Sequence, residues 1–346
     1  MPRRPLLPRL YSLALGLLLA ACSTSGRSDP NGAMVLRVGY FPNITHSQAL
    51  IGLARGDFQT ALGPQVQIEP IQFNAGPSVI EAMFAGEIDM SYIGPNPAIN
   101  GYVQSQGEAL RIVAGATSGG AALVVRPEAG ITTPPDLSGR RLATPQLGNT
   151  QDVALRSYLI ANGFDTVERG GDVEIFPTEN SQILNLFRLG QIDGAWVPEP
   201  WAARLIVEGG GELFLDERDL WPNGDFVTAH VIVRPSLLRD HPEIVRNWLS
   251  AHLVVTEWSL AHPDEAQTLL NQEIGRMTGK ELDPAVLSMA WSRLRPTWDP
   301  ISTSLVASAE AAFAAGFLRE QPDLDGIYDL TILNELLEEE GYPQVR

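Results

Sequence analysis

The chain has 346 residues, of which 44% are hydrophobic and 19% are charged, as is typical of a globular protein with room for two domains. Its formal net charge of -17 argues against a nucleic-acid-binding protein, because such proteins usually carry a basic surface. Cys22 is the only cysteine and Lys280 the only lysine. Disulfides, cysteine-based zinc sites and thiol catalysis are therefore not expected in the fold, and Lys280, within a polar run, is predicted at the surface.

The N-terminal 21 residues are typical of a bacterial lipoprotein signal peptide. Three arginines precede an apolar segment over 10–21 that is too short to span a membrane, and the sequence Leu-Ala-Ala-Cys follows like a lipobox. We expect Cys22 to carry lipid and to anchor the mature protein to the membrane outside the cytoplasm. The alternative is an ordinary signal peptide with an incidental cysteine. Residues 22–34 are rich in Ser, Gly, Asn and Asp and are predicted to form a flexible tether.

Two successive strand–turn–helix units are predicted next. Residues 35–55 contain an apolar strand, a mostly polar turn and a helix, and residues 66–85 repeat this plan. Gly76 and Ser78 lie where the second helix begins, beside Pro77 at a position that favours proline. The first-turn N–H groups of such a helix have no partner within the helix, so they are available to a ligand.

Two segments of the chain, 83–97 and 187–200, resemble each other. In each, a helix ends at glycine, a short apolar strand follows, and a Pro-x-Pro turn closes the strand. Three residues recur at a constant offset of 104 positions: Gly86, Ile88 and Asp89 match Gly190, Ile192 and Asp193. The agreement of glycine, strand and turn predicts two similar α/β lobes.

The predicted lobes are formed by residues 35–121 with 232–346 and by residues 122–231. Extended runs over 111–126 and 228–234 bracket the second lobe and predict a two-segment hinge, in which Gly119 and Gly120 can change backbone conformation. The alternative is a pair of ordinary core strands. After residue 235 the pattern becomes helical, and most of these helices are expected to pack on the first lobe.

Residues 142–163 predict a strand that turns into a helix. Gly148 breaks the strand, Asn149 or Thr150 occupies the N-cap position, and Asp152 lies in the first turn. Because a helix start offers free N–H groups and the positive end of the helix dipole, it can hold an anion without a lysine. The alternative is that Asn149 and Thr150 only cap an ordinary helix.

Signatures of enzymes are sparse. The sequence contains no zinc-protease His-Glu-x-x-His, no Gly-x-Ser-x-Gly, no P-loop and no dinucleotide fingerprint. Of the five histidines, only His46 and His230 are predicted at positions that face a cleft, and two distant histidines make a weak metal site. We therefore expect no catalytic residues, no metal site and no cofactor.

Uncharged hydrogen-bond donors accumulate at the predicted turns. A cleft between helix starts of opposite lobes would bind a small oxyanion through N–H and hydroxyl groups. Trp196 and Trp201 are predicted to supply an apolar wall for an organic tail, and Glu199 either pairs with a ligand amine or faces solvent. The candidate ligand-binding residues are Asn43, Thr45, His46, Gly76, Ser78, Gly94, Asn96, Ser118, Gly119, Gly120, Gly148, Asn149, Thr150, Gln151, Glu199, Trp201 and His230.

Four segments carry a resemblance to a known group of proteins. They are Gly-Tyr-Phe-Pro-Asn-Ile-Thr-His at 39–46, Tyr-Ile-Gly-Pro-Asn-Pro-Ala at 92–98, Thr-Pro-Gln-Leu-Gly-Asn-Thr at 144–150 and Trp-Val-Pro-Glu-Pro-Trp at 196–201. Together they resemble the extracytoplasmic substrate-binding proteins of ABC importers for aliphatic sulfonates, nitrate and taurine. The resemblance implies an α/β periplasmic-binding-protein fold of type II, with two lobes joined by a two-segment hinge and the ligand held between them.

The resemblance also implies partners and leaves alternatives open. The expected ligand is a small organic anion, in the first place an aliphatic sulfonate, and the expected protein partners are an ABC permease and its ATPase subunit. A monomer is expected, with membrane contact through the lipid and no binding of nucleic acid. Nitrate, bicarbonate, taurine or a heteroaromatic vitamin precursor are alternative ligands. Pyrimidine-making enzymes resemble this group in fold and use histidine, a cysteine-rich segment and a cofactor-bearing lysine. Here Cys22 is the only cysteine and the one lysine, Lys280, is misplaced, so the enzyme reading is the less favoured alternative.

Overall fold

Two β-sheets organise the chain in the computed structural model, which describes residues 33–346. The predicted signal peptide, Cys22 and nearly all of the tether lie outside the described residues. The strands are β1 (Met34–Tyr40), β2 (Val66–Gln72), β3 (Met90–Ile93), β4 (Arg111–Gly119), β5 (Ala121–Val125), β6 (Arg141–Thr144), β7 (Glu174–Pro177), β8 (Gly194–Pro198), β9 (Glu212–Asp216), β10 (Val227–Val233) and β11 (Leu294–Pro296).

Helices cover both faces of the sheets. They are α1 (Ser47–Arg55), α2 (Asp57–Leu62), α3 (Gly76–Phe84), α4 (Pro95–Gln104), α5 (Thr150–Ala161), α6 (Asn180–Arg188), α7 (Trp201–Val207), α8 (Pro235–Asp240), α9 (Pro242–Ala261), α10 (Pro263–Thr278), α11 (Pro284–Trp291), α12 (Ser302–Ala314) and α13 (Thr331–Glu339). Within residues 33–346, none of these helices combines the length and apolar character needed to cross a bilayer.

The two sheets share one strand pattern. The first has the order β11-β4-β10-β3-β1-β2 and the second the order β7-β6-β8-β5-β9. In the first, β1 is parallel to β2 and β3, and β10 is antiparallel to β3. In the second, β6 is parallel to β7 and β8, and β5 is antiparallel to β8. We call the first sheet with its helices the first lobe and the second sheet with its helices the second lobe.

The chain crosses between the lobes twice. Gly119 ends β4 and Gly120 precedes β5, and both have positive φ, at 75° and 83°. The return crossing comes before Val227, because β10 pairs with β3 and β4 in the first sheet. The boundary predicted after residue 231 falls inside this strand and is corrected by the pairing. The physical reason is that residues 227–233 form one unbroken buried strand, so the sequence pattern gives no break at the crossing.

In each repeat an arginine and an aspartate form a hydrogen-bonded pair, which we call the clamp. Asp89 accepts hydrogen bonds from the backbone N and side-chain Nε of Arg37, at 2.8 and 3.0 Å. Asp193 accepts from the backbone N of Arg141 at 2.8 Å and lies 3.5 Å from its Nη2. The arginine of the second clamp lies 104 positions after that of the first, and so does the aspartate. This is the same offset that relates the repeated glycines. Each clamp ties the first strand of a repeat to its third, so the sequence repeat is also a structural repeat.

The C-terminal helices pack mainly on the first lobe. Trp248 of α9 stacks on Phe58 of α2, with ring centroids 3.8 Å apart and an interplanar angle of 4°. His252 of α9 is buried, and its ring bridges the Tyr92 hydroxyl at 3.0 Å and the Gly115 carbonyl at 2.9 Å. These contacts fix the first sheet in place behind the cleft.

Candidate ligand site in the interlobe cleft

An inner cavity of about 30 Å³ lies between the lobes, where strands of both sheets end. A single water needs roughly 10–15 Å³ by this measure, so the cleft is nearly closed. None of the side chains that line it carries a formal charge when histidine is neutral. The lining residues are Phe41, Asn43, Thr45, His46, Asn74, Ala75, Gly76, Gly94, Pro97 and Thr228 from the first lobe, and Pro145, Asn149, Thr150, Gln151, Asn180 and Pro198 from the second.

The turn before α5 is held by a buried carboxylate. Asp152 accepts hydrogen bonds from the Thr144 hydroxyl at 2.9 Å and from the Gly148 N–H at 2.8 Å. Asn149 caps the helix, its Oδ1 accepting from the Asp152 N–H at 2.9 Å. The amides of Thr150 and Gln151 lie in the first turn and have no acceptor within the helix. The predicted cap and the predicted anion site are therefore compatible, because the side chain of Asn149 caps while the next two amides remain available.

His46 presents a ring N–H at the opposite wall. It is buried and stacks on Phe41, with ring centroids 4.2 Å apart. Its Nδ1 accepts a hydrogen bond from the Phe41 N–H at 3.2 Å. Burial lowers the pKa of His46 to about 3, so the ring is neutral near pH 7. Because Nδ1 is the acceptor, the proton of the neutral ring lies on Nε2, which makes Nε2–H a donor.

Several contacts join the lobes across the cleft. Trp201 Nε1 donates to Asn43 Oδ1 at 3.2 Å, and Asn74 Nδ2 donates to Glu179 Oε1 at 3.0 Å. Thr150 packs on the backbone of Gly94 so closely that a Cβ at this glycine would lie 2.3 Å from the threonine hydroxyl. The lobes therefore touch on both sides of the inner cavity, and the arrangement is closed.

A larger outer cavity of about 340 Å³ adjoins the inner one and shares part of its lining. The shared residues are Asn43, Asn74, Pro145 and Asn180. Trp201 lines the outer cavity, and the guanidinium of Arg204 lies 4.4 Å from the centre of its ring. Lys280 is exposed, as predicted, and also lines this cavity. Its other charged lining residues are Glu179, Glu208 and Glu281.

The structure brings some of the predicted ligand-binding residues together at the cleft. The inner cavity is lined by Asn43, Thr45, His46, Gly76, Gly94, Asn149, Thr150 and Gln151, and the outer one by Trp201. Other predicted residues lie near the cleft but outside the lining of the inner cavity. Ser78 is in the first turn of α3, and Gly119 and Gly120 form the crossing. Three more make hydrogen bonds within the protein: Asn96 to the Ser308 carbonyl, Gly148 to Asp152, and Ser118 to Asp225 at 3.3 Å.

Glu199 and His230, which were predicted as ligand-binding residues, do not line the inner cavity. Glu199 is fully buried, and its Oε1 accepts from Arg293 Nη1 at 2.8 Å. Burial raises the pKa of this carboxyl, and Arg293 opposes the rise. His230 is also fully buried, and its Nε2–H donates to the Pro300 carbonyl at 3.0 Å. The side chains of Glu199, in the turn after β8, and of His230, in β10, thus pair with distant parts of the chain.

Trp196 is not a wall for an organic tail. Its side chain is fully buried in the second lobe, and its Nε1 donates to Glu217 Oε2 at 2.8 Å. Strand β8 is buried along its whole length, and of its five residues Pro198, at its end, is the one that lines the inner cavity. Of the two tryptophans predicted for the wall, Trp201 alone lines one of the cleft cavities.

Sequence reasoning missed several lining residues, and the internal repeat contains a signal for one of them. Asn180 begins α6 and lies 104 positions after Gly76, which begins α3. The same offset relates His46 to Thr150, and all four residues line the inner cavity. Transferring the first-lobe candidates by this offset would have identified Asn180. Asn74 and Thr228, also missed, carry no comparable signal.

Residues 33–346 contain no group of three or more His, Cys, Asp or Glu side chains placed to hold a metal ion. The inner cavity instead offers amide, ring N–H, hydroxyl and carboxamide groups. Such groups can replace the hydration of a small anion through charge-assisted hydrogen bonds.

Comparison with known sequences assigns this two-lobed chain to a family. The chain belongs to the NMT1-like family, whose sequence profile matches residues 29–272. It is 26% identical over 194 residues to the taurine-binding periplasmic protein of Escherichia coli (strain K12). That match covers 56% of this chain and 58% of the relative, so the chain matches a little over half the length of this relative.

Solved structures share the architecture. The alkanesulfonate-binding protein SsuA of Xanthomonas axonopodis pv. citri, bound to MOPS, has a TM-score of 0.71 and 20% identity, covering 85% of this chain and 98% of its own. The periplasmic nitrate-binding protein NrtA of Synechocystis PCC 6803 has a TM-score of 0.71 and 15% identity, covering 90% of both chains. The predicted fold class, a two-lobed periplasmic-binding-protein fold of type II, is confirmed.

Proposed function

We propose that this protein is the extracytoplasmic solute-binding component of an ABC importer. It captures a small organic anion between its lobes, most favourably an aliphatic sulfonate, and delivers it to the permease, which the ATPase subunit drives. In this proposal the protein is a receptor and not an enzyme, and it acts as a monomer. It is held at the membrane through lipid on Cys22.

The observation that carries the proposal is the uncharged, donor-rich inner cavity between two lobes. The amides of Thr150 and Gln151 and the Nε2–H of His46 come from opposite lobes and can converge on one oxyanion. Each hydrogen bond to a charged group contributes about 1.5–3 kcal/mol. Since these donors are neutral, the site exchanges its ligand readily once the lobes separate.

Opening of the cleft is proposed to occur at the two crossings. Gly119 and Gly120 already adopt left-handed backbone conformations that other residues rarely take. The interlobe bonds of Asn43 with Trp201 and of Asn74 with Glu179 would break on opening. A bound anion that contacts both walls favours the closed arrangement by its difference in affinity for the two states.

An organic tail is favoured by the outer cavity. Its volume of about 340 Å³ adjoins the inner cavity, so an anionic head can lie inside while a tail lies along Trp201. Nitrate or bicarbonate would leave this space unfilled. Taurine is the second candidate, because Glu179 and Glu281 place carboxylates where an ammonium group on the tail would lie.

The test is a ligand panel on the protein lacking residues 1–22. Methanesulfonate, octanesulfonate, taurine, nitrate and a thiamine precursor are compared by thermal shift and calorimetry. A true ligand at about 100 times its Kd should add roughly 2.7 kcal/mol of stability. We expect sulfonates to bind and octanesulfonate to bind more tightly than methanesulfonate. Stabilisation by nitrate alone, or by the heteroaromatic compound alone, would contradict the sulfonate assignment.

Lipid anchoring is tested separately. Cys22→Ser in the full-length chain should move the protein from the membrane fraction to the soluble extracytoplasmic fraction. Unchanged membrane association would contradict anchoring through Cys22.

A further inference from the structure

A rear cavity of about 330 Å³ lies on the other side of the start of α5. The second lobe contributes Val153 and Tyr158 from α5 and Trp221 from the loop after β9. The first lobe contributes Phe226, just before β10, and Ala307 of α12. An occupant would therefore contact both lobes.

The rear cavity is distinct from the inner one. Thr150 is the one residue that lines both. Its hydroxyl packs tightly against the backbone of Gly94, where a Cβ would lie 2.3 Å away. This contact forms a partition between the two cavities.

Most of the wall is apolar and much of it is aromatic. Trp221 and Phe226 stack with ring centroids 5.5 Å apart and an interplanar angle of 13°, and Tyr158 lies nearby on α5. Ala307 and Ala311, one turn apart on α12, line the same cavity. Flat rings together with small side chains leave a space suited to a planar guest. A cavity of 150 Å³ is enough for benzene in another protein, so about 330 Å³ has room for a bicyclic ring.

One buried carboxyl supplies the polarity. Glu217 is only 3% exposed and lines the cavity, and its Oε2 accepts from Trp196 Nε1 at 2.8 Å. Its Oε1 accepts no hydrogen bond from the described residues at normal geometry. Burial raises the pKa of Glu217 to about 7, against the effect of the indole N–H groups of Trp196 and Trp221. A hydrogen-bond donor on a guest would share this carboxyl with the indole N–H of Trp221, which makes no hydrogen bond of normal geometry among the described residues.

We propose that the rear cavity binds a neutral aromatic ring that carries an N–H donor, with the N–H donating to Glu217. The ring packs between the aromatic side chains of the second crossing and the alanines of α12. Aromatic walls with one convergent polar group are typical of small-molecule sites. Any effect of this guest on anion binding rests on the proposed function, since it requires that closure of the lobes couples the two sites. The presence of the rear site does not depend on the proposed function.

Indole and benzofuran are matched probes, because benzofuran replaces the N–H with oxygen. Calorimetric titration of the protein lacking residues 1–22 should show saturable binding of one indole. Benzofuran should bind about 10–100 times more weakly, as expected for the loss of one hydrogen bond to a carboxylate. Glu217→Gln should reduce this preference, because an amide is a weaker acceptor than a carboxylate and its NH2 group can occupy the acceptor position.

Cavity-filling variants test the location. Ala307→Phe should abolish indole binding and retain sulfonate binding, and Ala311→Leu is a smaller insertion on the same face of α12. Ala314→Phe, at an exposed position near the end of the helix, should leave indole binding unchanged.

Three results would overturn the proposal: no saturable binding of indole up to about 5 mM, unchanged indole affinity in folded Ala307→Phe and Ala311→Leu, or displacement of indole by methanesulfonate. The last would place the ring in the inner cleft. Absence of sulfonate binding with normal indole binding would instead count against the proposed function and leave the rear site standing.

Discussion

The two lobes contain the same arginine–aspartate clamp in different environments. In the first lobe the side chains of Arg37 and Asp89 are 12% and 1% exposed, and Arg234 adds a second ion pair to Asp89 at 2.9 Å. In the second lobe the side chains of Arg141 and Asp193 are 43% and 14% exposed. The local geometry is repeated, but the surrounding packing is not. Burial, rather than the motif itself, therefore determines how much each clamp stabilises its lobe.

The largest expected difference between the lobes comes from removing the clamp carboxylate. Asp89→Asn should lower the free energy of unfolding by about 3–5 kcal/mol, because it removes a buried carboxylate that pairs with two partly buried arginines, Arg37 and Arg234. Asp193→Asn should cost about 1 kcal/mol or less, because Arg141 can turn to solvent. Urea denaturation of both variants measures the difference, with an unchanged m-value as the control for two-state unfolding. Equal losses would show that burial does not separate the two clamps.

The second comparison concerns equivalent positions at the cleft. His46 and Thr150 are related by the repeat offset, but the first offers a ring N–H and the second a backbone N–H. Thr150 is the first residue of α5, where proline is tolerated, and Asn149 before it has φ -74° and ψ 173°, which suits a residue before proline. Thr150→Pro therefore removes the amide N–H while the helix is retained.

Binding of a sulfonate to Thr150→Pro should be about 10–100 times weaker, corresponding to the loss of one charge-assisted bond of about 1.5–3 kcal/mol. Thr150→Ala removes the hydroxyl but keeps the amide and is the matched control, for which a smaller loss is expected. Calorimetry gives both values. If the two variants bind equally well, the amide is not an anion ligand.

More of the fold than of the ligand site could be predicted from the sequence. Alternating strands, helix starts and glycine stops are local patterns, so residues 35–55 and the turn before α5 were assigned from sequence. The repeat offset related the two halves without any structure. The crossing before Val227 was misplaced because a continuous apolar strand hides it. The orientation of His230 and Trp196 could not be predicted, because both lie on strands that are buried throughout.

The long-range ion pair of Glu199 shows a second limit. Its partner Arg293 lies 94 positions later in the sequence and in the other lobe. No local periodicity links two such residues, so the sequence predicts that a glutamate in a turn between prolines faces a ligand amine or solvent. Fully buried charges of this kind become visible when the tertiary packing is known.

The lobes should also respond oppositely to pH. Burial lowers the pKa of His230 in the first lobe to about 4, whereas it raises the pKa of Glu217 in the second to about 7. Between pH 6.5 and about 4 the unfolded histidine binds a proton and the folded one does not. Its contribution to stability therefore falls on acidification. The folded glutamic acid retains its proton above pH 4.5, so its contribution is present at low pH and is lost as the pH rises to about 7.

Each group should change the slope of the unfolding free energy against pH by up to about 1.4 kcal/mol per pH unit, between its unfolded and its folded pKa. Urea denaturation between pH 5 and pH 8 measures this. Glu217→Gln should make the loss of stability on acidification steeper, and His230→Gln should make it shallower. Parallel pH profiles for the parent and both variants would contradict the assignment of these two groups.

The smallest expected effect separates closure from ligand contact. Trp201 is half-buried and links the lobes through its Nε1–H to Asn43, but it lines the outer rather than the inner cavity. Trp201→Phe keeps an apolar ring and removes the hydrogen bond, worth about 0.5–1.5 kcal/mol, so affinity should fall about 2–10 times for every anion tested. Asn43→Ala removes the same bond and also a lining carboxamide, so it should have the larger effect. A loss in Trp201→Phe that is confined to octanesulfonate would assign the indole to the tail rather than to closure, because a closure contact must act on short and long ligands alike.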